Sequence, residues 1–357
     1  MAKTSTAQMC EKLLAYEAAI RGGAKKTNAY KSAGFTGATH KRWLEAHPKL
    51  KLPAYVLPLP PQGDVAFSGD GRWLFTLEAG PVEFTLTRYV AATGAVDART
   101  TVASRVETHA WREVLVARSD LRGGRLLFAV TGGVLHEWDV ASNQVTTDTD
   151  ALRSLRIEAK GKSSSSASRS RWWQADFTSD LSHIAYWERG GEGYTLAVFR
   201  RSDAKITRYP SIARDHAAAI AFHPTRSLLA TLGEHSLLAV IDYEGERVLL
   251  EKGLQSHAVA FSLGSTVLCD DWYAKTQRVD YETREQTQVA ATWGVLGSQS
   301  DRFVTAGPDR FTVYSLARGP KGEQTDFEKI EEVRLSSDGA LLAVWADLLC
   351  VWNLGTP

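Results

Sequence analysis

The sequence predicts an all-β chain, a seven-bladed β-propeller with a small N-terminal α-helical extension. Three observations lead there. One unit of strand, turn, strand, spacer and strand recurs seven times between residue 64 and the C-terminal region. Its apolar runs are four to six residues long and rich in β-branched and aromatic side chains, which is strand length rather than helix length. A four-stranded unit repeated at roughly 35 to 60 residues cannot bury both faces alone, and stacking seven in a ring covers them.

The units begin at Asp64 ("DVAFSGDGRWLFTLEA"), Glu113, Gln174 ("QADFTSDLSHIAYWE"), Ala218 ("AAIAFHPTRSLLATLG"), Ala258, Gly294 and Glu331 ("EEVRLSSDGALLAVWA"). Turn formers separate the first two runs, as in Gly69-Asp70-Gly71, Pro224-Thr225 and Ser337-Asp338-Gly339. Asp bonds back to its own backbone and Gly accepts positive φ, so these residues close tight hairpins. The third run ends on an aromatic-acid or similar pair: Trp138-Asp139, Ile241-Asp242, Trp352-Asn353. A fourth, more polar strand is expected between units, for instance around "RTTVASR" from Arg99. Phe67, Phe177, Phe222 and Phe261 are expected at equivalent buried positions. Each such ring, fully buried, contributes on the order of 1.5–3 kcal/mol.

The last unit ends at "VWNLGTP" with no room for a fourth strand, while "PAYVLPLP" (residues 53–60) is strand-like and precedes the first unit. Residues 54–57 are therefore expected to supply the outer strand of the final blade, which locks the ring. The division that follows is a basic helical segment over residues 1–52 and a propeller over residues 53–357.

"AIAFHPTRSLLATLGEHSLLAVIDYE" resembles the repeat of WD-repeat propellers, with its order of strand, turn, strand, strand and acid. The resemblance spans about 300 residues in outline. The glycine-histidine pair that opens many such repeats is absent, and only Trp138-Asp139 keeps the literal Trp-Asp ending. It implies the architecture and carries over no functional residue.

Two segments interrupt the pattern with basic charge. Residues 151–171 hold six Lys/Arg against Glu158 alone. Their serine tract predicts a mobile loop whose Lys160, Lys162, Arg169 and Arg171 could grip phosphates or an acidic partner. The following Trp172 and Trp173 are expected to begin the next blade's inner strand. Residues 1–53 hold ten Lys/Arg against three Glu, a balance of +7. The chain's net charge is +1, so the rest is an acidic body, and such segregation favours partner recognition.

The N-terminal segment reads as three helices. The first is capped by Thr4, Ser5 or Thr6, shows an apolar face of Met9, Leu13, Tyr16 and Ile20, and ends at Gly22-Gly23. A second runs from a Thr27 cap to Ala33, with Gly34 as the turn. A third, capped by Thr36, is ended by Pro48. "AGFTGATHKRWLEAHP" resembles the helix-turn-helix of small bacterial and phage DNA-binding proteins. That resemblance implies a third helix in the major groove, with Gly37, Ala38, Lys41 and Arg42 toward DNA and Lys25, Lys26 and Lys31 near phosphates. Phe35 and Trp43 would fill its small core. Tyr30 stands where the pattern usually has a small residue, and His40 where Val or Ile normally packs.

Catalytic constellations are missing. There is no Gly-x-Ser-x-Gly elbow, His-Glu-x-x-His, phosphate loop or clustered metal-ligand spacing, so neither catalytic residues nor cofactors are assigned. His216, His223 and His257 fall near the starts of inner strands, where turn and hydrogen-bonding roles are the ordinary use. Asp270-Asp271 would point to opposite faces of a strand. No run of 18 uncharged apolar residues predicts a membrane helix, and the start lacks an apolar core of signal-peptide length. The three cysteines have neither zinc nor disulfide-framework spacing, which fits a reducing cytosol.

These readings lead to a non-enzymatic, cytoplasmic scaffold for protein-protein interaction. The alternatives are a DNA-binding adaptor using the helical segment, and a propeller enzyme or small-ligand binder using the central channel. Oligomeric state is left open.

Overall fold

The computed structural model describes residues 4–58, 64–80, 82–103, 114–130, 134–148, 175–190, 193–214, 219–233, 237–254, 258–262, 264–271, 275–290, 295–299, 301–307, 309–316, 319–330 and 332–355. Three helices lead into seven four-stranded antiparallel sheets, the blades of a β-propeller. Strands A to D of blade 1 are Asp64–Phe67, Trp73–Ala79, Glu83–Val90 and Ala95–Ala103, hydrogen-bonded in chain order. The A strands of blades 2 to 7 are Val114–Ser119, Ala175–Phe177, Ile220–Phe222, Val259–Phe261, Val295–Gln299 and Glu332–Leu335. Each A strand touches the next, and that of blade 7 touches that of blade 1, so they form a closed inner ring. Trp172 and Trp173, expected to open blade 3, lie outside the described residues, as does the whole basic serine-rich segment.

Register explains the recurring phenylalanines. Phe67, Phe177, Phe222 and Phe261 lie opposite Leu74, Ile184, Leu229 and Val267 of their own B strands. Because side chains alternate along a strand, each points back into the layer shared with the preceding blade. Phe177 packs with Leu127 and Leu135 of blade 2, and Phe261 with Val240 and Leu250 of blade 4. The core is thus a set of layers between blades, each built by two neighbours.

The A–B turns are held by side chains bonding back. The Ser68 hydroxyl donates to Asp70 Oδ1 at 2.6 Å, and Asp70 Oδ1 accepts the Arg72 amide at 3.1 Å. Blade 7 repeats the device with Ser336 and Asp338, also at 2.6 Å. Blade 4 uses His223, whose Nδ1 accepts the amides of Thr225 and Arg226 at 3.1 Å each. Burial pushes the His223 pKa down to about 4, so the imidazole is neutral near pH 7 and its lone pair is free to accept. The acid closing the third run ties the C–D turn in blades 2 and 4, where Asp139 takes the Ser142 amide at 2.9 Å and Asp242 that of Gly245 at 2.9 Å. After the third strand of blade 7, Asn353 takes the Gly355 amide at 2.8 Å.

Ring closure uses a borrowed strand. Blade 7 contains Glu332–Leu335, Leu341–Trp345 and Leu349–Asn353, and its fourth strand is Tyr55–Leu57, from ahead of blade 1. Tyr55 lies opposite Val351, Val56 opposite Cys350 and Leu57 opposite Leu349. The Ala54 amide adds a bond to the Val351 carbonyl at 2.6 Å. Tyr55 then reaches across the seam, packing in one layer with Leu74, Tyr89 and Ala91 of blade 1 and donating its hydroxyl to the Ala91 carbonyl at 2.5 Å. Tyr55→Phe removes only that hydrogen bond and is expected to cost about 1 kcal/mol. Tyr55→Ala also empties the seam and should cost about 3 kcal/mol. Urea unfolding of both variants checks the order, and equal losses would mean the ring does not fill the seam.

Candidate functional site

The helical segment is a small domain-like arm built on its own aromatic cluster. Helix α1 (Thr6–Arg21) starts at a capping box in which the Ser5 hydroxyl accepts the Gln8 amide and Gln8 returns a bond to the Ser5 amide. Helix α2 (Lys26–Ser32) begins two residues earlier than a Thr27 cap implies, after Lys25, and has no side-chain cap. Gly34, at φ +71°, makes the turn that leads to helix α3 (Gly37–Ala46), whose Thr36 cap accepts the Thr39 amide at 3.2 Å. The two residues that depart from the helix-turn-helix pattern pack on each other. The Tyr30 hydroxyl lies 3.3 Å from His40 Nδ1, and their rings join Tyr16 and Phe35 at centroid separations of 4.6 to 6.0 Å. An edge-and-stack aromatic cluster forms the small core that Phe35 and Trp43 were expected to fill. Trp43 sits outside it, tilted on His47 at 4.5 Å.

One side of this arm is fixed to the propeller. Ala7 and Cys10 of α1 are fully buried in a layer with Phe311 of blade 6 and Ala346, Cys350 and Trp352 of blade 7. The Ser5 hydroxyl donates to Asp347 Oδ2 at 2.5 Å. Beyond α3, the Lys49 amide bonds Asp326 Oδ2 at 3.1 Å, Lys49 Nζ bonds Gln324 at 2.7 Å, and Lys51 pairs with Glu323. The Trp352 indole donates to the Lys51 carbonyl at 2.9 Å. The expected apolar face of α1 is therefore shifted: Met9 and Leu13 are buried with Ala7 and Cys10, whereas Ile20 is exposed.

The other side is open. No residue of α3 is buried. Lys41 has 80% of its side chain exposed and, among the described residues, forms only a 3.9 Å pair with Glu45, worth little in water. Arg42 is exposed and, among the described residues, bonds no further than the Ala38 carbonyl, at 3.4 Å. Lys25, Lys26 and Lys31 are exposed as well. Gly37 differs from the rest of the expected contact set. A Cβ there would lie 3.2 Å from the Tyr30 ring, so Gly37 permits the close approach of α3 to α2 and faces inward. Lys160, Lys162, Arg169 and Arg171 lie outside the described residues.

A second polar constellation, on the inner ring, was not anticipated. Asp176 of blade 3 is 4% exposed; its Oδ1 accepts the Phe177 amide at 2.8 Å and its Oδ2 the Phe222 amide of blade 4 at 2.9 Å. Arg118 of blade 2 pairs with Asp176 at 2.8 Å. Asp64 of blade 1 repeats the arrangement, bonding the Val65 amide at 2.7 Å and the Ala117 amide of blade 2 at 2.8 Å. Glu332 and Arg334 of blade 7 pair at 2.5 Å, and burial pushes the Arg334 pKa down while Glu332 opposes that. Four consecutive blades are thus tied by charge-assisted bonds at their innermost strands. At the register of Asp176, blades 4 and 5 carry Ala221 and Ala260. A charge inside an apolar inner run, as in "QADF" or "EVRL", was the available signal.

His223 shapes its turn, His216 and His257 lie outside the described residues, and among the described residues no three potential metal ligands cluster. Asp270 and Asp271 end the second strand of blade 5, Thr266–Asp271, opposite Thr276 and Lys275. Asp176→Ala would leave the Phe222 amide and the Arg118 guanidinium without their buried acceptor, and a loss of about 3–5 kcal/mol is expected. Asp176→Asn keeps one acceptor and should lose less. Chemical denaturation measures both, and a neutral Asp176→Ala would remove the inner-ring bonds from the account.

No family model matches the chain, and no curated protein sequence matches it. Among solved structures 1446 chains match, so the fold is widespread and does not by itself select a function. One is the β-propeller domain of Cps50 (Swd1) from Myceliophteria thermophila, with a TM-score of 0.59 at 13% identity, covering 84% of this chain and 99% of that one. At that identity the likeness is one of fold: this chain is a seven-bladed β-propeller with three helices ahead of it.

Proposed function

We propose that the chain is a non-enzymatic propeller that serves as a rigid platform for protein-protein interaction in the cytosol. The observation that carries this reading is the arm: α1 is fixed to blades 6 and 7, and α3 stands on that base with its outer face uncovered. Five aspartates of the described blades serve architecture. Asp64, Asp70, Asp139, Asp176 and Asp242 each accept backbone amides of their own or the next blade. Cys10, Cys269 and Cys350 are free and buried, and burial pushes the Cys10 thiol up to about 12, which keeps it protonated and inert. Free cysteines accord with a reducing compartment. No described helix is long and apolar enough to cross a membrane.

A second reading is favoured by the exposed basic residues of α2 and α3. The arm would then contact duplex DNA through Lys41 and Arg42, with Lys25, Lys26 and Lys31 on phosphates. One experiment separates the two. The chain is purified from its native cells and run on gel filtration before and after nuclease treatment, as wild type and as a Lys41→Glu/Arg42→Glu variant. The platform reading expects a stoichiometric protein partner that survives nuclease. Loss of all bound material on nuclease treatment and in the variant would instead establish the DNA reading.

A further inference from the structure

We propose that the cleft between blades 4 and 5 docks a short acidic peptide with an apolar anchor, supplied by the protein partner. This rests on the platform reading and names a surface for it. The cleft has a volume of about 660 Å³ and lies among the A–B and C–D turns of blade 4 and the C–D turn of blade 5. Pockets of roughly 300–1,000 Å³ hold small ligands or a few side chains. Leu228 and Leu249 give it an apolar floor, beside the buried ring of Tyr281.

The charges around that floor are unequal in availability. Asp242 is committed on both oxygens: Oδ1 accepts the Gly245 amide at 2.9 Å, and Oδ2 accepts Arg247 Nε at 3.2 Å. Its side chain is only 16% exposed. Glu282 stands 3.7 Å from Arg226 on the open rim, a solvated pair of small worth. The arginines keep donors in hand. Arg226 gives one Nη to the Tyr281 hydroxyl at 2.8 Å, and Arg247 gives its Nε to Asp242. Arg226 Nη2 and both Nη atoms of Arg247 make no hydrogen bond among the described residues, and these side chains are 50% and 70% exposed.

Arg226 is also held in place at its backbone, since its amide bonds the His223 imidazole. A carboxylate entering the cleft meets two positioned guanidiniums, and charge-assisted bonds to such forks are the strong ones. A neighbouring leucine or phenylalanine of the same peptide covers Leu228 and Leu249. A basic peptide meets the same two cations and finds Asp242 already paired.

The test uses the full chain and a fluorescein-labelled decapeptide of Glu and Asp around a central Leu-Phe pair. Its counterpart has Lys in place of every acid. Anisotropy should show saturable binding of the acidic peptide that weakens with salt, and no binding of the lysine peptide. Arg226→Ala/Arg247→Ala should lose about tenfold or more in affinity. Both side chains are on the surface, and matched melting curves establish that the variant is folded; the single Arg247→Lys variant, which keeps charge and loses the fork, should fall between. No binding of the acidic peptide, equal binding of the lysine peptide, or unchanged affinity in the double variant would overturn the proposal. A double variant that still elutes with its protein partner removes the cleft and leaves the platform reading standing.

Discussion

A ring of antiparallel sheets has to close, and this one closes through three residues that precede its first blade. The backbone of Tyr55–Leu57 pairs with Leu349–Asn353, and the ring of Tyr55 crosses the seam to blade 1. Without that strand the last blade would present strand C as an open edge, a template for pairing with other chains. The same strand fixes where the helical arm can be. Because residue 55 is pinned at the rim of blade 7, the chain ahead of it must start there, and α1 packs on that blade and its neighbour. Closure therefore brings Cys10 and Cys350, at opposite ends of the sequence, into one buried layer.

Two further sets of bonds act on the ring from inside and outside. At the inner strands, Asp64 and Asp176 each reach forward to a backbone amide of the next blade, and Arg118 links the second blade to the third. At the turns, one blade's loop leans on the next: the Asp70 amide bonds the Leu121 carbonyl, and Arg302 bonds the carbonyls of Gly339 and Gly355. Both sets run between consecutive blades and fix their relative orientation, which apolar layers alone specify less sharply. A platform whose blades hold their angles presents its clefts, including that between blades 4 and 5, in one shape.

Much of this was legible in the sequence, because the information is local and repeated. The phenylalanines at 67, 177, 222 and 261 share one register, since each is defined by its distance from a turn that closes on its own side chains. The acid after each third run was visible as a pattern, and its work is to cap a turn. What was hidden depends on contacts between distant segments. Asp176 looks like an interruption of an apolar strand until the ring brings Arg118 of the preceding blade to it, and Arg334 until it is seen to pair with Glu332 of its own strand. Tyr30 and His40 read as departures from a helix-turn-helix, yet they stack with Tyr16 and Phe35 and so build the arm's own core. The inward position of Gly37 follows from that same cluster, since the Tyr30 ring takes the place a side chain would need. The face of α1 that meets the propeller, Ala7 and Cys10, was masked by larger apolar neighbours at helical spacing.

The functional reading depends on the arm being a fixed part of the ring rather than a tethered appendage. Its anchors are one short strand, the Ser5–Asp347 bond, the Lys49 bonds to Asp326 and Gln324, and the burial of α1. Amide hydrogen exchange of the intact chain examines all of them together. Closure through residues 54–57 predicts that those amides of Tyr55–Leu57 that face Leu349–Asn353, and the amide of Val351 between two strands, exchange as slowly as those in the middle strands of blades 3 and 4, through global unfolding alone. Exchange of these amides within minutes, with the blade 3 and 4 strands still protected, would contradict the closing strand and with it the fixed position of the arm.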